Sequence, residues 1–136
     1  MPSATVKWLQ HKQFVGIDSS KHSVVVSTQD EVNAVGCKPP DLLLVALGSC
    51  VAMDVVDILA KKRTPLSDLN IEIKGEQDPE PPWAFRKIHL TFHVRGSNLT
   101  TAGVEQAIHL AEEKYCSVSA TVKGVAQVTW DYIIEA

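Results

Sequence analysis

Three cysteines, Cys37, Cys50 and Cys116, are the side chains of this 136-residue chain best suited to covalent chemistry. Only a thiolate is nucleophilic. An odd count, with no C-x-x-C or C-x-x-H spacing, offers neither a stable disulfide framework nor a zinc site. Cys50 follows Gly48 and Ser49 in an apolar run. Two readings of it stand side by side: a partly accessible nucleophile beside a small-residue gap, or a small hydrophobe filling a core position. Cys116 closes a second expected helix. Alone it is equally ambiguous, but two cysteines so placed suit an attacking and a resolving thiol. Cys37, in a polar loop, is expected to be dispensable. His89 and His93 share a strand face but stand about 13 Å apart by strand rise, so they are read as part of a solvated face, not as ligands of one metal. Asp54 and Asp57, one helical turn apart, mark where the apolar run meets water.

The element that must position Cys50 runs from Pro39 to Lys62. Proline at its start, Asp41 in its first turn and Lys61, Lys62 and Arg63 at its end suit a helix, which Pro65 stops. From Leu42 to Met53 it is apolar on every side, and such a helix is expected to be buried on every side. The run is a dozen residues, short of the ~20 that cross a bilayer, so a core helix shared with a second subunit is expected. Alternating patterns predict strands over Ala4–Gln10 (half-buried), Gln13–Ile17, Ser23–Thr28, Leu69–Lys74, Phe85–Arg95 and Ala126–Ile134. A second helix starts at Thr100 or Thr101, with Val104, Ala107, Ile108 and Ala111 inward and Glu112 and Glu113 in water. Ser117–Lys123 is ambiguous. The order βββ-α-ββ-α-β predicts an α+β fold with a largely antiparallel sheet, as a single domain over residues 1–136.

A net charge of −3 with both signs interspersed argues against nucleic acid or an anionic membrane as partner. Met1 to Gln10 lacks a basic-then-apolar pattern, so a cytoplasmic protein is expected.

Pro39-Pro40-Asp41-Leu42-Leu43-Leu44-Val45-Ala46-Leu47-Gly48-Ser49-Cys50, with Glu113-Lys114-Tyr115-Cys116-Ser117-Val118-Ser119 further on, resembles the OsmC/Ohr family over nearly the whole chain. The resemblance implies an intertwined homodimer, with sheets wrapped around central cysteine-bearing helices. It also implies a peroxidase for organic hydroperoxides, with Cys50 peroxidatic, Cys116 resolving, a dithiol reductant, and no metal or organic cofactor. An apolar pocket at the subunit interface, including Leu47, Met53, Phe14 and Tyr115, would favour alkyl peroxides. The sequence departs from well-characterised members in two places. Pro40 stands where they carry a glutamate, leaving Asp41 as the nearest candidate acidic partner. Gln13 to Ile17 lacks their hairpin arginine, which lysine does not replace. The chain is thus nearer the OsmC-like branch called YhfA-like. The alternative function is a non-catalytic protein binding a small apolar ligand at the dimer interface.

Overall fold

In the computed structural model, which describes all 136 residues, the chain packs as two compact units, Met1–Leu43 and Leu44–Ala136. The first unit is an antiparallel meander of β1 (Ala4–Gln10), β2 (Gln13–Asp18) and β3 (Ser23–Ser27). Its β1–β2 turn is held by Trp8 Nε1, which donates to the His11 carbonyl at 2.7 Å. The following loop docks on β3 through Ser27 N–H to the Cys37 carbonyl (3.0 Å) and Cys37 N–H to the Val25 carbonyl (2.9 Å). Glycine is required at 36 because a Cβ there would collide with the Val25 carbonyl. β1 was expected to be half-buried; every one of its residues is exposed, Val6 and Trp8 included. Its alternation has no apolar layer to face within this unit.

The helix α1 (Pro39–Lys61) begins where the first unit ends and runs on through the second. The second unit adds β4 (Leu66–Gln77), β5 (Phe85–Gly96), α2 (Thr101–Leu110), a π-helical turn over Ala111–Tyr115, α3 (Ser117–Val122) and β6 (Gln127–Glu135). The sheet order is β4-β5-β6. Three of the four strand pairings in the protein are antiparallel, and β5–β6 is parallel. A parallel neighbour needs a crossover, which α2 and α3 supply. Thr100 caps α2, its Oγ1 accepting from Gly103 N–H at 3.0 Å.

The core joins Leu47, Val51, Val55 and Leu59 of α1 to Ile88, Leu90, Phe92 and Val94 of β5 and to Val104, Ala107, Ile108 and Ala111. The spacing of the four α1 residues is a single helix stripe. Burial of α1 on every side is therefore not what the chain itself provides. Val45, Met53 and Val56 are 58%, 69% and 45% exposed on the open side. By length and hydropathy α1 would also pass for a membrane span, but its packed stripe makes it the core helix of this unit.

Candidate functional site

Cys50 lies on α1 and is half-buried against the core. The helix passes through it unbroken: Ser49 Oγ donates to the Val45 carbonyl at 2.7 Å instead of opening a kink. Gly48 is buried because α1 presses on β4 there; a Cβ would overlap Ile73 Cδ1. That close approach sets how deep the Cys50 turn sits.

Cys116 is placed by a different device. The helix begun by α2 widens at Ala111–Tyr115, where Cys116 N–H reaches back five residues to the Ala111 carbonyl at 2.9 Å. Cys116 then leaves helical geometry (φ −82°, ψ 108°) and becomes the N-cap of α3, its Sγ accepting the Ser119 N–H at 3.2 Å. The residue is 3% exposed. Burial pushes its thiol up to about 11, and the neighbouring Cys50 side chain adds to the rise. Both cysteines are unbonded thiols. The structure thus brings Cys50 and Cys116 together.

Behind Cys116 is a polar cluster that sequence reading placed in water. Glu112 is 2% exposed and Ser119 is fully buried. Glu112 Oε1 accepts from Ser119 Oγ at 2.9 Å and pairs with Lys123 Nζ at 2.7 Å. Lys123 also reaches Glu113 at 3.3 Å. Glu113 is held below the usual carboxylate range, first by a hydrogen bond with Glu112 and then by Lys123. The burial of Glu112 corrects the expectation of a wet helix face. A π turn carries an extra residue, so the apolar stripe of α2 cannot be extrapolated through it. No helical periodicity in the sequence marks the cluster, because the π turn and the extended Cys116 break the helix between Glu112 and Ser119.

The other expected site residues lie elsewhere. Asp41 pairs with Lys38 at 3.8 Å, both side chains well exposed, and nine residues of helix, about 13 Å of rise, separate it from Cys50. Cys37 is exposed in its loop. The four residues expected to line an apolar pocket are dispersed. Leu47 is fully buried in the core and Tyr115 is exposed. Met53 lines an open cleft with Ser49, Ala52, Val56 and Asp57. Phe14 lines a cleft of about 330 Å³ in the first unit, with Val26, Pro39 and Pro40 and with Lys12 and Lys38. Leu47 is withdrawn from the pocket because it belongs to the packed stripe of α1. On the sheet, His89 meets Asp131 at 3.1 Å and His93 meets Glu135 at 3.0 Å, so each imidazole has its own carboxylate on β6.

The chain is thus an α+β protein whose core helix sets one thiol against another. Residues 11–131 match the family described as OsmC-like protein. Protein YhfA of Escherichia coli K12 is 35% identical over 133 residues, covering 98% of each chain. A solved structure of a hypothetical protein from Aquifex aeolicus is 28% identical with a TM-score of 0.84, covering 100% of this chain and 98% of that one. A Legionella pneumophila organic hydroperoxide resistance protein OsmC, also described as a predicted redox protein, shares the fold at 14% identity and a TM-score of 0.67, over 96% of each chain. The chain belongs to the OsmC-like family, near YhfA.

Proposed function

We propose that this protein is a cysteine peroxidase that reduces organic hydroperoxides at the expense of a dithiol. The observation that carries the reading is the Cys50 side chain facing the buried thiol of Cys116. Family membership supports it, as does the hydroperoxide resistance named for the Legionella relative. The Cys50 thiolate attacks the peroxide O–O bond. The alkoxide leaves and takes a proton to become an alcohol, and Cys50 becomes a sulfenic acid. Cys116 attacks that sulfur; the oxygen departs as water with the Cys116 proton, and a disulfide forms. An external dithiol then reduces the disulfide and is itself oxidised. No step calls for a metal.

A second reading, a non-catalytic protein binding a small apolar ligand, draws on different observations. Pro40 replaces the family glutamate, Gln13 to Ile17 lacks an arginine, and Asp41 is engaged by Lys38. The cleft of about 330 Å³ around Phe14 is also within the range of small-ligand sites. Consumption of cumene hydroperoxide in the presence of a dithiol separates the two readings. The peroxidase reading expects turnover that Cys50→Ser abolishes; no turnover in the unmodified protein would favour the binding protein.

A further inference from the structure

We propose that Glu112, acting through Ser119, is the positioning residue that holds Cys116 aimed at the Cys50 sulfur. The inference rests on the two-cysteine reading above and extends it to residues behind the thiols. Cys116 sits at a junction between the π turn and α3, with extended backbone angles. Its backbone bonds to each element, the N–H donating to the Ala111 carbonyl and the carbonyl accepting from the Ala120 N–H, and the angle between the two elements decides where Sγ points. Glu112 spans the junction. From the π turn its carboxylate reaches Ser119 in the first turn of α3 and Lys123 at the end of α3. Lys123 Nζ also meets the Glu112 main-chain carbonyl at 3.4 Å. α3 is therefore tied at both ends to one residue four positions before Cys116.

The tie is transmitted to the sulfur by a single residue. Ser119 gives its hydroxyl to Glu112 and its backbone N–H to Cys116 Sγ, so whatever holds the hydroxyl also holds the amide against the sulfur. Glu112 is the only carboxylate among the buried residues. A buried carboxylate is costly unless paired and hydrogen-bonded, and an apolar side chain would hold a purely structural contact as well or better. A carboxylate here does what an apolar residue cannot: it sets direction, through oriented hydrogen bonds to two points on α3. The amide also favours negative charge on the sulfur, which helps the Cys116 thiolate form before it attacks Cys50.

The test follows sulfur exchange without peroxide, in a Cys37→Ser chain, using the chromogenic disulfide dithiobis(nitrobenzoate). In the first phase the Cys50 thiolate attacks the reagent and expels one coloured thiolate. In the second, Cys116 loses its proton to solvent, attacks the Cys50 sulfur of the mixed disulfide and expels the other. Ser119→Ala should slow the second phase about tenfold, a modest share of what misplacement of a reacting group costs, leave the first phase at the parent rate, and lower the melting temperature modestly through the lost buried hydrogen bond. Glu112→Gln keeps an oxygen for the Ser119 hydroxyl while losing the charge toward Lys123, so it should slow the second phase less. A second phase at the parent rate in Ser119→Ala would overturn the proposal. So would both phases changing together with a fall in melting temperature, or a parent chain with no second phase. If Glu112→Gln fails to fold, Ser119→Ala alone decides. If the parent shows both phases but ignores organic hydroperoxide, the peroxidase reading fails and the positioning role of Glu112 stands.

Discussion

Cys116 is a neutral thiol at neutral pH, because burial and the facing Cys50 raise it from an ordinary 9.0 to about 11. The sign of the consequence is fixed. Attack on a Cys50 sulfenic acid uses the thiolate, whose fraction grows tenfold per pH unit while the thiol stays mostly protonated, and burial, the largest cause of the rise, persists when Cys50 is oxidised. Disulfide closure in a single turnover should therefore rise about tenfold per unit between about pH 7 and pH 9. Rapid-quench mass analysis across that range checks it, and a plateau before pH 8 would contradict it. The three cysteines should also separate cleanly by variant. Cys50→Ser should lower hydroperoxide consumption by about a thousandfold or more, in keeping with loss of a nucleophile. Cys116→Ser should leave a first-turnover sulfenic acid on Cys50, trappable by dimedone. Cys37→Ser should leave the rate unchanged, since Cys37 is exposed in a loop of the first unit.

At the scale of elements, α1 carries the core on one stripe and Cys50 beside it. Leu47→Ala, at a fully buried position, should cost about 2–5 kcal/mol by lost transfer energy and cavity. Urea unfolding measures this; a loss under about 1 kcal/mol would mean that the stripe is loosely packed. α1 was legible from its apolar run and flanking prolines, and β5 from the strict alternation of Ile88, Leu90, Phe92 and Val94. Cys50 and Cys116 could be singled out by residue type, but sequence alone could not report that the two side chains meet. Glu112 was not, since a turn that breaks the 3.6-residue period moves a glutamate from the wet face to the inside. α3 escaped because Ser117-Val118-Ser119-Ala120-Thr121-Val122 reads equally well as a strand; the Cys116 cap and the Glu112 tie select the helix. The parallel pairing of β6 is set by the crossover through α2 and α3, which strand alternation cannot report.

At the scale of the whole molecule, Val45, Met53 and Val56 leave apolar surface on the open side of α1, and we propose that a second copy of the chain covers it. Sedimentation should then give a dimer at micromolar concentration, and Met53→Asp, placing a charge on that side, should shift it toward monomer. A stable folded monomer of the unaltered chain would contradict the assembly. The central claim is that Cys50 and Cys116 form a working pair. Its most direct test is intact-mass and peptide mapping after treatment with one equivalent of cumene hydroperoxide. The account predicts a chain lighter by two hydrogens, with the Cys50 and Cys116 peptides joined and Cys37 still a free thiol. An unchanged mass, or a crosslink that includes Cys37, would contradict it.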